Sequence, residues 1–530
     1  MCPKRLDVGK VLAIAAMVTL AACGGGSTPP VLPLSSSVSP PSGSTQVVEG
    51  NSGQLAFTVS VSAGAGGPAV PMLTLDSSVV ALQGSVDTSV ANQYGVRLAT
   101  VTGLAPGAYS GQVTFRLCSD MSCATVYAGS TQTFTYTVTV SLAEWETFQR
   151  NAAHTGFVDV ALDPAAFKLA WTWSRPAGDP EPIGGVNAVA SGAGNVYITK
   201  DVYFGQGAVY ALSEVDGALA WSYDLGRMAS EGPAAFSNDN VYVTSTDPAA
   251  DCVTWALDAA GGTYKFRMQT QCQWSSFFAS TVSSGAVLDA AQGGSIYSFS
   301  AADGSLQWSV AAGSYDQSTP AADANYVYQY GSSGGSPALN VFDRKTGASI
   351  ASIADPFAIS FSGYSMFSAP MLGAAGEAIA FSNNSFSGRA ASSSEQFDSR
   401  VLVSYDIAKK AYAWRAASAY LTHPAIANGV VYAARNAPAA LDALSEADGH
   451  VLWSWPIPAG DTSFHRNVVV TRNLVFVSTD TSVYAIDLNT RQSVWSYPNP
   501  GMLAISALPN LYIATGATIS DGNLVAIKLR

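Results

Sequence analysis

The chain has 530 residues, with 25 basic residues against 37 acidic ones and a formal net charge of −12. That balance excludes nucleic acid as a partner. Only 12% of residues are charged while 48% are hydrophobic and Gly numbers 48; this describes a turn-rich β protein with an ample core, too long for one ordinary domain.

The first thirty residues form an export signal, with Lys4 and Arg5 ahead of an apolar run from Val11 to Leu20. The run is shorter than the roughly 20 residues a membrane-spanning helix needs. Its end, Leu20-Ala21-Ala22-Cys23, resembles the lipobox of bacterial lipoproteins, which implies that residues 1–22 are removed and Cys23 is acylated. Each buried CH₂ contributes ~0.8 kcal/mol, so two or three acyl chains anchor firmly where one holds weakly. Gly24, where a retained inner-membrane lipoprotein often has Asp, points to the outer membrane, on its periplasmic or its exposed face. Cleavage takes away Lys4, Arg5, Lys10 and Asp7, leaving 22 basic residues, 36 acidic residues and a net charge of −14.

From Cys23 to about Thr45 the Gly, Ser and Pro content reads as an extended tether with no packed fold. Residues 46–142 then alternate apolar and polar in short runs, LAFTVSVS, GVRLATVTG and TFTYTVTVSL among them, separated by Gly or Pro turns. This pattern predicts a β-sandwich. All eleven Trp lie after it, which places a boundary near Leu142. The Gly107-Ala108-Tyr109-Ser110-Gly111 run, followed by a strand ending in Cys118, resembles immunoglobulin-like modules of bacterial surface and periplasmic proteins.

Cys118, Cys123, Cys252 and Cys272 are the cysteines left beside Cys23 in the exported chain. An even number in an oxidising compartment predicts two disulfides. Cys118 and Cys123 bracket a tight SDMS loop, and Cys252 and Cys272 are equidistant from Gly262, at the open end of one hairpin. Metal binding is the rival reading, but neither pair has a Cys-x-x-Cys spacing or a nearby His.

Residues 143–530 are organised by a repeat. A lead-in, AEWETFQRNAAHTGF, precedes eight short strands centred on Tyr197, Tyr242, Val287, Tyr328, Ile379, Tyr432, Phe476 and Tyr512, spaced 45, 45, 41, 51, 53, 44 and 36 residues apart. A period in the forties made of strands is the signature of a propeller. The second half of the repeat has its own ruler: Tyr210–Trp221, Trp255–Phe266, Tyr297–Trp308 and Tyr484–Trp495 are each 11 residues apart. It predicts an aromatic packed between neighbouring blades, burying about 150–250 Å². The last repeat stops after three strands, and FKLAWTW at 167–173 has the Trp spacing of the missing fourth. That strand is expected to close the ring, because an open ring exposes two strand edges.

The motifs YALSEVDGALAW, YSFSAADGSLQW and LDALSEADGHVLW resemble the pyrroloquinoline-quinone-type repeat family across residues 143–530. Ala351 in the fourth repeat and Lys409-Lys410 in the fifth depart from the motif. The resemblance implies an all-β fold, an eight-bladed propeller after an immunoglobulin-like sandwich. It also implies two alternatives. One branch of the family comprises dehydrogenases that hold PQQ and Ca on the axis and oxidise alcohols or sugars. The other comprises cofactor-free envelope lipoproteins, including the barrel-assembly propeller of the outer membrane. This chain has no adjacent cysteines and no acidic run of calcium-ligand spacing. Gly331-Ser332-Ser333-Gly334-Gly335 fits G-x-S-x-G formally, but it runs into Pro337 with no following helix. No catalytic residue, cofactor or metal ligand is therefore assigned. The expected function is a lipid-anchored, non-catalytic scaffold that binds envelope proteins or glycans. The candidate channel-mouth residues are Glu231, Asp316, His423, His465 and Arg466, polar groups at the entrances of innermost strands. His154 reads as a packing or capping residue.

Overall fold

Alternation between apolar and polar residues becomes alternation between buried and exposed positions in Gln54–Val61 and Gln132–Ser141, two strands of the N-terminal unit. The computed structural model describes residues 34–62, 67–174, 185–200, 202–271, 279–291, 295–311, 319–333, 336–358, 369–374, 376–382, 400–515 and 522–530. The signal peptide, Cys23, Cys272 and Asp316 lie outside them. The chain divides into two units, Met1–Ala143 and Glu144–Arg530.

The first unit is built from two four-stranded sheets. One runs in the order Ser36–Ser39, Gln54–Val61, Gln93–Thr100, Val80–Leu82; the other runs Ser42–Val48, Gln132–Ser141, Gly107–Cys118, Val70–Thr74. Their inner faces share a core containing Phe57, Phe115, Phe134 and Val138, with Phe57 and Phe134 ring centroids 4.4 Å apart. Packed structure starts earlier than the composition implies. Ser42–Val48 pairs in parallel with Gln132–Ser141, so the tether expected to reach residue 45 already contributes two edge strands. Ser-rich strands bond through their backbone and leave little trace in composition. Cys118 and Cys123 are joined by a disulfide that closes the SDMS loop.

The second unit is a β-propeller. Its described strands form eight sheets: I (190–228), II (230–270), III (281–311), IV (321–354), V (371–420), VI (425–456), VII (464–497) and VIII (502–528). Sheet VIII is completed by Lys168–Ser174, which pairs antiparallel with Asn523–Lys528, and sheet VII gains Phe157–Val158 on its innermost edge. First strands of sheets I to V are neighbours in turn, as are those of sheets VI to VIII, so one edge of each pairs within its sheet and the other faces the axis.

Aromatics on the outer strands pack at seven of the eight junctions. Trp171, Trp221, Trp308 and Trp414 lie on the turn glycine of the following sheet, Gly217, Gly262, Gly347 and Gly449. Each indole N–H donates to a carbonyl of that turn, on Glu214, Ala259, Arg344 and Glu446, at 3.3, 2.9, 2.9 and 2.6 Å. Gly262 shows why glycine is needed: its φ is +67° and a Cβ there would stand 2.5 Å from Trp221 ring carbons. Phe266 covers Gly304 in the same way, without a donor. Trp453 faces the Arg491 guanidinium at 5.9 Å, and Trp495 meets Phe167 edge-on at 5.5 Å. At the IV–V junction both partners change together. Ala351 replaces the aromatic, Lys410 (φ 53°) replaces the glycine, and the Lys410 ammonium donates to Ile350 O at 3.0 Å.

One expected register is corrected. The sheet II hairpin turns between Ala260 and Gly261, with Asp258 N–H donating to Thr263 O and Leu257 pairing with Tyr264, so even with a one-residue bulge between Ala256 and Leu257 Cys252 stands opposite Thr270 and not opposite residue 272. Symmetry about Gly262 placed the turn centre too late in the chain. Cys252 itself is buried and disulfide-bonded.

Candidate functional site at the propeller hub

Entry into the innermost strands is where polar candidates were expected, and the structure sorts them by burial. Glu231 has no exposed surface; its Oε2 accepts from Ala208 N at 3.1 Å, linking sheet II to sheet I. His423 is also fully buried, immediately before Ala425–Ala427. His465 is partly covered and its Nε2 lies 2.7 Å from Ser463 Oγ, while Arg466 is nearly buried at φ 67°. His423 and Arg466 are brought together through the backbone: His423 N–H donates to Arg466 O, and Val468 N–H donates back to His423 O, both at 2.9 Å. Glu231 belongs to a different part of the ring.

The lead-in segment contributes residues not assigned to a site from sequence. Trp145, Phe148, Gln149 and His154 are all buried. The Phe148 ring stands edge-on to His423 at 4.8 Å and to His154 at 6.0 Å, with 6.5 Å between the two imidazoles. Gln149 Nε2 donates to Pro424 O at 2.8 Å and Val468 O at 3.0 Å. Asn467 Nδ2 donates to Gln149 Oε1 at 2.6 Å and to Leu503 O at 2.9 Å, and its Oδ1 accepts from Leu503 N. Sheets VI, VII and VIII are thus joined through two carboxamides. The tight turn requires Gln149 and Arg150 at φ 55° and 82°. Gly156, at φ +59°, leaves room for Gln149, whose Nε2 would lie 2.7 Å from a Cβ there. A string of polar residues inside WETFQRNAAHTGF was the available signal; its burial was not visible.

Burial governs the electrostatics. His154 is pushed down to about 4 and His423 to about 3, mainly by desolvation, so both are neutral at pH 7. His154 Nδ1 lies 2.9 Å from Pro370 O, which assigns it the N–H. Arg150, lowered to about 10 by burial, stays protonated and donates to Phe157 O. Glu146 and Glu214 are raised to about 7, again chiefly by burial, with Glu144 adding repulsion.

A planar quinone with calcium needs a slot on the axis and an anionic ligand set. The described hub residues do not supply that ligand set. Between Trp145, Phe148, Gln149, Asn467 and Met502 lies a cavity of about 10 Å³, room for one water molecule. Among the described residues, no group of three or more His, Cys, Asp or Glu side chains is placed to hold a metal ion.

Comparison with curated protein sequences finds no match. Among solved structures, the quinohemoprotein alcohol dehydrogenases of Pseudomonas putida HK5 and Comamonas testosteroni share the fold. The first has a TM-score of 0.51 and 13% identity, the second 0.50 and 14%; each alignment covers 73% of this chain and 80% of the other. BamB from Moraxella catarrhalis aligns with a TM-score of 0.48 and 15% identity over 69% of this chain and 98% of its own. Residues 156–359 and 367–527 match the family model described as outer membrane protein assembly factor BamB, and the chain belongs to that family of PQQ-type repeat propellers.

Proposed function

We propose that the protein is a lipid-anchored, non-catalytic binding scaffold of the outer membrane, an eight-bladed propeller that engages envelope proteins through its surface loops. The observation that carries this reading is the packing of the described hub residues: the Phe148, His154 and His423 rings are buried against one another, and Gln149 bonds Pro424 O and Asn467. Family membership agrees with it. The blade number is supported by eight sheets and by inter-sheet contacts that return from sheet VIII to sheet I through Trp171 and Gly217.

The N-terminal unit is proposed to be immunoglobulin-like, acting as spacer or second binding module. Its support is the first strand divided between both sheets and the Tyr109 hydroxyl donating to Ala105 O at 2.7 Å, the arrangement of a tyrosine corner. Lipidation at Cys23, which ends the Leu20-Ala21-Ala22-Cys23 tetrad, supplies the anchor; no helix among the described residues is long and apolar enough to cross a membrane.

Crosslinking in intact envelopes followed by purification and mass spectrometry tests the function. Envelope proteins crosslinked to residues of the propeller loops are expected. Micromolar PQQ binding by the purified protein, with calcium-dependent oxidation of alcohols or sugars, would replace this reading with the quinoprotein one. Cys23→Ser is expected to move the protein from the membrane to the soluble fraction.

A further inference from the structure

The lead-in segment does more than fill space. Its groups meet the sheets in chain order. Trp145 O accepts from Ser191 N of sheet I at 2.9 Å, and Glu146 O from Phe236 N of sheet II at 2.7 Å. Thr147 Oγ1 donates to Ser280 O at the entrance of sheet III at 2.5 Å. Ala152 O accepts from Ala322 N of sheet IV at 2.7 Å, Ala153 O from Leu372 N of sheet V and Thr155 O from Ile426 N of sheet VI, both at 2.8 Å. Gly156 O accepts from Val470 N of sheet VII at 2.9 Å. Sheet VIII joins through Asn467, which bonds both Gln149 and Leu503. The acceptors are mostly main-chain carbonyls, and the donors are amides on the axial edges of first strands, which have no partner within their own sheets.

We propose that residues 145–156 are a closure strap: a single segment that seals the axis and couples the first strands of all eight sheets into one cooperative unit. Two further observations support it. Gln149, Arg150 and His154 hold φ of 55°, 82° and 54°, conformations that non-glycine residues keep only where the surroundings over-determine them. The side chains between the carbonyl contacts also bridge sheets that are not adjacent: His154 reaches Pro370 O beside sheet V and Thr281 Oγ1 of sheet III. A buried amide that loses its only acceptor cannot turn to water without opening its strand, so disturbance at one seat spreads along the strap.

Hydrogen exchange read by mass spectrometry on the full exported protein tests this. Gln149→Gly removes the carboxamide while suiting the positive φ. It is expected to raise exchange about tenfold in first-strand peptides of every sheet, including I to IV, which Gln149 does not touch. Thr147→Val, a milder break at sheet III, gives the same ring-wide pattern at lower amplitude and serves if the first variant does not fold. Trp221→Phe, at the rim between sheets I and II, raises exchange only there. The strap is refuted if exchange in Gln149→Gly or Thr147→Val rises only in the strands those residues contact. It is equally refuted if the rim variant produces a ring-wide response of the same size.

Discussion

Replacing Gly262 by Ala tests the junction chemistry at its tightest point. The new methyl group would lie 2.5 Å from two Trp221 ring carbons, on a residue whose φ of +67° disfavours any Cβ. The left-handed conformation costs about 1–2 kcal/mol for a non-glycine residue, and forcing a methyl into a packed contact costs about 1–3 kcal/mol more. Relief by swinging the indole away breaks its 2.9 Å bond to Ala259 O, so it brings no saving. The variant is therefore destabilised by about 2–5 kcal/mol. A chain of this size need not unfold in two states, so the suitable readout is the rate of unfolding in guanidinium followed by Trp fluorescence. The rate should increase at least tenfold, taking about 1.4 kcal/mol per decade. Lys410→Gly is the counterpart at the IV–V junction, where no aromatic overhangs and the backbone is already at φ 53°. It should be neutral or stabilising by up to about 1 kcal/mol. Wild-type unfolding of Gly262→Ala, or a larger loss in Lys410→Gly, would refute the reasoning.

Other consequences concern donors, protons and the disulfide. Trp414→Phe keeps an aromatic group but gives up the fused pyrrole ring and leaves Glu446 O without the indole N–H at 2.6 Å; a loss of about 1–3 kcal/mol is expected in denaturant unfolding. His154 and His423 titrate below their usual 6.5 when folded, so their contribution is present above about pH 6.5 and is lost as pH falls through 4 and then 3. Glu146 and Glu214 act in the opposite sense: raised to about 7 from 4.5, they contribute fully below pH 4.5 and lose that contribution as pH rises through 7. Glu214→Gln, which can still accept from the Tyr512 hydroxyl, should flatten the decline in stability between pH 5 and 8; an unchanged slope in thermal melts at several pH values would remove Glu214 from the account. Replacing Cys118 and Cys123 by Ser should destabilise the N-terminal unit by about 2 kcal/mol, the loop-closure value for a five-residue separation, measured by proteolysis of that unit.

The propeller was legible because its signals are local. Strand alternation and the 11-residue step from Tyr210 to Trp221 each depend on residues within one sheet, and side chains carry both signals. The site was less legible. His423 and Glu231 occur at strand entrances as the pattern implies, yet a polar letter there does not say whether it meets water; both are fully buried. His154 was legible as a packing residue, but its neighbours Phe148 and Gln149 gave no sign of meeting His423 and Asn467.

Sequence alone determined the repeated strands, the outer-strand aromatic of the sheets other than the fourth, the strand at 167–173 that completes sheet VIII, and the loss of the motif at Ala351 and Lys409-Lys410. The repeated features follow from period, composition and steric preference within some fifty residues, and the closing strand from the one strand that the last repeat lacks. Tertiary structure alone decided the shifted hairpin at Cys252, the early strands at Ser36 and Ser42, and above all the strap. Backbone carbonyls carry no sequence signature, so nothing in the letters joins Trp145 to Ser191 or Gly156 to Val470. Those bonds exist because each first strand keeps an axial edge whose amides must find acceptors away from water, and the segment entering the ring provides them.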